Sequence, residues 1–200
     1  MPSFRIAVSL ALIASGAVAH AADGGAIDGV VQGALRRDVS LVYVEEVAGR
    51  TFTPPPAPAT MNQIRNTYQP HLLPVLVGSE VEFKSVDPEL HNVYARATGK
   101  TLFNIAIPPS SPIAYRQRFD KVGVVKLSCN VHREMLAFVV VLQNPYFAVP
   151  DKSGKFRIEG VPAGRYVLRV WGESIEDDIL QKKFPVEVPS AAPTVVAVAP

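Results

Sequence analysis

Short apolar segments separated by turn-forming residues run along most of the chain. Alternation of apolar and polar positions over residues 27–47 and 166–171 predicts strands, because successive side chains of a strand face opposite sides. The continuous apolar run over residues 136–142 is typical of a strand buried on both faces. Further strands are predicted over residues 72–77, 81–83, 93–97, 115–119, 122–128 and 184–188. Many short strands with turns between them favour an all-β sandwich.

Composition and charge mainly exclude other classes of protein and site. The chain of 200 residues is 48% hydrophobic and 19% charged, which is typical of a folded protein of one or two domains. Its formal net charge of +2, without a basic stripe, argues against a nucleic-acid-binding protein. The single cysteine, Cys129, excludes an internal disulfide framework and a zinc site built from several cysteines.

The first residues, 1–21, are typical of a secretory signal peptide. Arg5 gives a positive start, residues 6–18 are apolar or small, and residues 19–21 have the A-x-A pattern of a signal-peptidase site. The apolar run is shorter than the about 20 residues of a membrane span, and an uncleaved anchor is the alternative. We therefore expect a periplasmic protein with no stable membrane insertion after the signal is removed.

Candidate chemistry is concentrated in residues 129–135. Cys129, His132 and Met135 are spaced three apart on a turn between two predicted strands, so their side chains can surround one point. Thiolate, imidazole and thioether ligands together suit copper and argue against calcium, magnesium or manganese. The alternative for Cys129 is a buried small apolar residue, and for Met135 a gap-filling side chain of the core.

A second histidine is needed to complete such a site, and His91 is the candidate. It follows the turn-rich residues 85–90 and precedes Asn92 and Val93, at another junction between a loop and a strand. Two histidines and a cysteine with a weak axial methionine form the ligand set of a blue-copper electron-transfer site. The sequence therefore predicts one copper ion, with the ligands His91, Cys129, His132 and Met135.

The region around these ligands resembles the cupredoxins, and more closely the amicyanin-like, plastocyanin-like and methylamine-utilisation-like copper proteins. The resemblance covers residues 61–143. Its landmarks are residues 68–70, residues 77–83, Asp87, residues 91–93, Phe119 with Gly123, and the ligand loop 129–135. It implies a Greek-key β-sandwich with copper at one end.

The resemblance also implies a role for individual residues. His91, Cys129 and His132 would be the equatorial ligands and Met135 the axial one. Asn92 would tie the two ligand loops together by hydrogen bonds, and His132 would be the exit for the electron. Many relatives carry proline after the loop histidine, whereas here residues 133–134 are Arg and Glu. The sequence thus leaves open whether a partner docks by apolar or by electrostatic contacts.

The flanking segments resemble a second family, the carboxypeptidase-regulatory-like β-sandwich. Residues 147–168 carry its pattern of glycines and alternating apolar positions, and residues 29–44 match its first half. The resemblance implies a discontinuous β module, 27–50 with 146–188, into which the cupredoxin domain is inserted, followed by a flexible tail over 189–200. The alternative is that the flanks add strands to one enlarged sandwich.

Together these observations predict an exported type 1 copper protein that carries single electrons between periplasmic redox proteins. We do not expect an enzyme, because a multicopper oxidase needs further histidine clusters and only His71, His91 and His132 follow residue 21. The alternatives are a periplasmic copper-binding or delivery protein without an electron-transfer role, and a metal-free β-sandwich binding module. The sequence leaves the oligomeric state open.

Overall fold

The computed structural model describes residues 24–33, 40–173, 181–189 and 194–198, which form strands, turns and loops and contain no helix. The all-β class predicted from the sequence is confirmed. Within these ranges nothing helical is long and apolar enough to cross a membrane. The predicted signal peptide, 1–21, lies outside the described residues.

The strands are short and follow one another closely along the chain. In order they are β1 (Gly24–Gly33), β2 (Ser40–Val44), β3 (Ala59–Ile64), β4 (Thr67–Gln69), β5 (Leu72–Leu76), β6 (Ser79–Ser85), β7 (His91–Ala97), β8 (Lys100–Ile107), β9 (Tyr115–Phe119), β10 (Gly123–Ser128), β11 (Leu136–Leu142), β12 (Phe147–Ala148), β13 (Lys155–Pro162), β14 (Gly164–Gly172), β15 (Phe184–Val188) and β16 (Thr194–Val198).

The strands between residues 59 and 142 form one sandwich of two sheets, with strand orders β4-β3-β6-β9 and β5-β11-β10-β7-β8. Alternate side chains of both sheets meet in a shared apolar core, in which Met61 and Phe83 of the first sheet pack with Leu127 and Val139 of the second. Each such side chain stabilises the fold by roughly 1.5–3 kcal/mol when fully buried. We call this part the first sandwich.

The flanking strands form two further sheets among the described residues, β13-β1-β16 and β12-β2-β14-β15. Their core is separate from that of the first sandwich and includes Ile27, Val42, Ile158 and Leu168. We call this part the second sandwich. Apart from β16 and the first residues of β1, its strands belong to the segments that the sequence assigns to a discontinuous module, and independent folding of that module stays a prediction.

A third apolar cluster joins the two sandwiches. The outward side chains of β11, among them Phe138, pack against Leu41 and Trp171 of the second sandwich, and the Phe138 and Trp171 ring centroids are 4.9 Å apart. Ala137, Val139 and their neighbours on the other face of β11 fill the first core. This two-sided burial confirms the strand predicted from the apolar run over residues 136–142.

Several strands of the described chain were not predicted from the sequence, among them β3, β4 and the edge strands β8 and β16. The flexible tail expected over residues 189–200 is wrong for Thr194–Val198, which pairs in parallel with β1 as β16. Its β-branched residues suit a strand, and the edge of β1 offers the backbone partner. The edge strand β8 was not predicted because most of its side chains are exposed or half-buried, which hides the apolar alternation.

Candidate metal centre

The candidate site lies at one end of the first sandwich, where β7 begins and β10 ends. His91 is the first residue of β7, and Cys129 follows the last residue of β10. These strands are neighbours in antiparallel register, with Ser128 opposite Tyr94, so they bring both residues to the same end of the sheet. The loop from residue 129 to residue 135 then carries His132 over this end before β11 starts.

Three of the four predicted ligands converge on one point. The Cys129 Sγ atom lies 3.9 Å from His91 Nδ1 and 3.8 Å from His132 Nδ1, and the two Nδ1 atoms are 3.1 Å apart. Ligand atoms held by one ion at about 2.0–2.3 Å lie about 3–4 Å from one another. The three separations therefore fit a single metal ion, and the soft and borderline donors suit copper.

Met135, the predicted axial ligand, is buried beside this group of atoms. Its side chain belongs to the same apolar cluster as Cys129 and is 1% exposed. Its backbone N–H donates to the carbonyl oxygen of His132 at 3.1 Å, which closes the turn of the ligand loop. The structure thus places Met135 at the site, and its ligation of a metal stays a prediction.

Asp87 fixes the orientation of the His91 ring. His91 is fully buried, and its Nε2 atom lies 3.0 Å from Asp87 Oδ2. An ionised carboxylate accepts hydrogen bonds, so this contact is a hydrogen bond when His91 carries a proton on Nε2, and in the neutral ring the Nδ1 lone pair then faces Cys129 and His132. The 3.1 Å contact between the two Nδ1 atoms then needs a proton on His132 Nδ1 or a cation that both nitrogens share.

The Asp87 carboxylate is itself held in the charged form. Burial raises its pKa, but hydrogen bonds from the backbone N–H groups of Arg65 and Asn66 and the contact with His91 outweigh burial, and the pKa lies below its ordinary value. A hydrogen-bonded, ionised carboxylate on the outer nitrogen is a common way of orienting a metal-ligating histidine.

Asn92 joins the two ligand segments. Its side-chain Oδ1 accepts a hydrogen bond from the backbone N–H of Asn130 at 2.6 Å, and its Nδ2 donates to Asn104 Oδ1 at 2.6 Å. Asn92 follows His91 and Asn130 follows Cys129, so this side chain keeps the first ligand at a fixed distance from the loop that carries the others. The resemblance assigned this bridging role to Asn92.

Tyr68 and Gln63 support the same two strands from the opposite sheet. The buried Tyr68 hydroxyl lies 3.0 Å from the carbonyl oxygen of Ser128 and 3.2 Å from that of Asn92. Burial raises the pKa of Tyr68, so its hydroxyl stays a donor. Gln63 Nε2 donates to the carbonyl oxygen of Asn92 at 3.2 Å. Both strands that end at ligands are therefore tied to the facing sheet.

The surface around the site combines apolar and charged side chains. Val86 and Val131, which neighbour Asp87 and His132 in sequence, are 72% and 51% exposed. Arg133 and Glu134 are also exposed. His71 lies elsewhere, at the junction of the sandwiches, with its Nε2 atom 2.5 Å from Glu173 Oε2.

Sequence reasoning gave no role in the site to three residues that the structure places there: Tyr68, Asp87 and Asn104. Tyr68 and Asp87 were landmarks of the resemblance, but their contacts are with residues 4 to 60 positions away. The signal for Asp87 was its position four residues before a candidate ligand, in a loop that brings the chain back on itself.

The fold and the site together define a β-sandwich protein with a His-Cys-His cluster, in which His91 and Cys129 are buried and His132 is half-buried. Solved structures similar to the chain are cupredoxins. They include a purple cupredoxin from Nitrosopumilus maritimus, 24% identical, covering 42% of this chain and 98% of that one with a TM-score of 0.37. Amicyanin from Paracoccus versutus is 16% identical, covering 50% and 96% with a TM-score of 0.39.

A copper-containing nitrite reductase from Thermus scotoductus is 20% identical, covering 50% of this chain and 25% of that one with a TM-score of 0.40. No protein-family model and no curated relative matches the chain. At such identities and TM-scores the likeness assigns no function.

Proposed function

We propose that this chain is a type 1 copper protein that carries single electrons. The observation that supports this most strongly is the convergence of the Cys129 Sγ atom and the Nδ1 atoms of His91 and His132 within hydrogen-bonding or ligand distance of one another. These residues, with Met135, would hold copper, which supplies a one-electron couple between Cu(I) and Cu(II). The ties through Asn92 and Tyr68 hold the ligand segments in one arrangement in both oxidation states.

We further propose that the protein works with periplasmic redox proteins as partners and is not an enzyme. The signal-peptide pattern of residues 1–21 supports export. A partner would approach the end of the first sandwich at His132, where the exposed Val86 and Val131 give an apolar surface and Arg133 and Glu134 give charge. Such a surface combines apolar contact with electrostatic selection of the partner.

The test is the visible absorption spectrum of the copper-loaded protein and of three variants. We expect an intense thiolate-to-Cu(II) band in the natural protein and its loss in Cys129→Ser. His132→Gln should lose or strongly shift the band, whereas the matched control His71→Gln should keep it, because His71 lies at the junction of the sandwiches. A natural protein without the band, or a Cys129→Ser variant that keeps it, would contradict the ligand assignment.

Voltammetry of the loaded protein separates the electron carrier from the alternatives. A fast, reversible one-electron couple supports electron transfer, whereas a blue protein without a reversible couple supports copper binding or delivery. Protein purified from a copper-replete periplasm without bound copper would favour the metal-free binding module.

A further inference from the structure

Asp87 is a carboxylate buried at the back of the proposed site. It lies in the loop between β6 and β7 and is 6% exposed. Burial of a charged group is costly unless hydrogen bonds compensate for the lost water. Here Oδ1 accepts from the Arg65 N–H at 2.8 Å, and Oδ2 accepts from the Asn66 N–H at 3.1 Å and from His91 Nε2 at 3.0 Å.

The turn between β3 and β4 provides two of these donors through an uncommon backbone conformation. Arg65 and Asn66 have φ values of 52° and 58°, in the left-handed region that residues other than glycine seldom adopt. Two such residues in succession form the tight hairpin turn that suits the twist of the flanking strands. In this turn both backbone N–H groups point at the same carboxylate, so the sequence tolerates a strained turn where it holds an anion.

The backbone of Asp87 is held as firmly as its side chain. Its N–H lies 3.3 Å from Ser85 Oγ, and its carbonyl oxygen accepts from the Ser110 N–H at 2.8 Å. The carboxylate and the backbone of Asp87 are therefore held by contacts from β6, from the β3–β4 turn and from the loop after β8.

We propose that Asp87 is a positioning residue that holds His91 Nδ1 toward the site before any metal binds, and whose negative charge favours the higher oxidation state of a bound copper. The second half of this proposal rests on the proposed function. A fixed charge in a buried site acts through less solvent screening than an exposed one, so it stabilises Cu(II) relative to Cu(I) and lowers the reduction potential.

The chain offers a matched control for the effect of charge. Glu89 lies on the same loop, and its carboxylate is within 4.8 Å of the ligand atoms of Asp87 and His91, but it is exposed. Asp87→Asn and Glu89→Gln each remove one negative charge with little change in size. If burial and the contact with His91 determine the effect of the charge, Asp87→Asn should shift the reduction potential strongly and Glu89→Gln should not.

The first experiment measures the reduction potentials of the copper-loaded natural protein and both variants. We expect the equilibrium constant for reduction of Asp87→Asn by a mediator to rise about tenfold or more, which is about 59 mV or more for one electron. Glu89→Gln should shift it about threefold or less. A blue Asp87→Asn variant whose potential moves no more than that of Glu89→Gln would overturn the role of the charge.

The second experiment needs neither copper nor a variant. Imidazole ¹⁵N spectra of the metal-free natural protein at neutral pH should show His91 protonated on Nε2 and not on Nδ1. The opposite tautomer would overturn the positioning role. This measurement is independent of metal, so it separates the two proposals. If the protein forms no blue copper site but shows the Nε2-protonated tautomer, the proposed function is refuted and the positioning role of Asp87 is supported.

Discussion

The two sandwiches differ in the number of polar side chains that they bury. At the site end of the first sandwich, Gln63, Ser85, Asp87, His91 and Asn92 are all buried. Among the described strands of the second sandwich, Ser40 is the one polar residue that is buried to this extent. Polar groups that leave water need partners to compensate for the loss, so a protein gains nothing in stability from burying five of them together.

This difference in buried polar side chains indicates that the candidate site lowers the stability of the first sandwich. Most polar atoms of the first sandwich have partners, but Gln63 Oε1 and Asn66 Oδ1 have none within the described chain. An unsatisfied buried oxygen costs about 1–3 kcal/mol. The described core of the second sandwich is built from apolar side chains such as Ile158 and Leu168. We infer that the second sandwich mainly stabilises the fold, whereas the first sandwich is less stable than it could be because it holds the candidate ligands in precise positions.

The largest effect should come from the apolar core of the second sandwich. Leu168 is fully buried, and Leu168→Ala should lower the free energy of unfolding by about 2–5 kcal/mol, because it removes buried methyl groups and leaves a cavity. Urea denaturation followed by circular dichroism measures this loss. The copper band, or the His91 tautomer in the metal-free protein, should stay unchanged, since Leu168 belongs to the core of the second sandwich, which includes none of the candidate ligands.

The matched control is Leu102→Ala, the same substitution at a side chain that is 51% exposed on the edge strand β8. We expect it to change the free energy of unfolding by less than about 1 kcal/mol. Equal effects of the two substitutions, or a copper band that disappears in Leu168→Ala under conditions where the protein is folded, would contradict the division of roles between the sandwiches.

A smaller loss of stability with a larger effect on the site is expected from Asn92→Ala. The variant removes the hydrogen bonds to the Asn130 N–H and the Asn104 side chain, and since both of these residues are exposed to water, each lost bond costs about 0.5–1.5 kcal/mol. Because the two ligand segments lose their tie, copper affinity should fall about 10-fold to 100-fold. Competition with a copper chelator measures the affinity. Asn104→Ala, which removes one of the two contacts, should have the weaker effect, and a reversed order would contradict the bridge.

Much of the first sandwich could be predicted because short, continuous sequence patterns define its strands and the loop that carries the ligands. The apolar run over residues 136–142 defined β11, and the spacing of Cys129, His132 and Met135 defined a loop that carries ligands. His91 was found because it stands at the start of a strand and next to Asn92. Local patterns of this kind depend only on the periodicity of a strand and on the preference of a metal for its donors.

The support of the site could not be predicted, because it depends on register between distant segments. The role of Asp87 follows from the β3–β4 turn, whose Arg65 and Asn66 lack the glycine that commonly marks such turns. Tyr68 reaches Ser128 across 60 positions only when the two sheets face each other. Likewise β16 was missed because its partner, β1, lies at the other end of the chain.

The smallest effect concerns the charged outer face of the first sandwich. The pKa of Glu82 is lowered from its ordinary 4.5, first by Lys84 and then by Arg116, whose Nε and Nη2 atoms lie 3.0 and 2.9 Å from Oε2. A depressed pKa in the folded state adds stability that is present above the ordinary pKa and is lost as pH falls through the lower, folded value.

Urea midpoints measured from neutral pH to about pH 3 should therefore fall less steeply in Glu82→Gln than in the natural protein. Glu80→Gln, at an exposed position on the same strand and outside the ion pairs of the described chain, should keep the natural slope. Equal slopes in all three proteins would show that the ion pairs of Glu82, whose partners Lys84 and Arg116 are exposed to solvent, add no measurable stability.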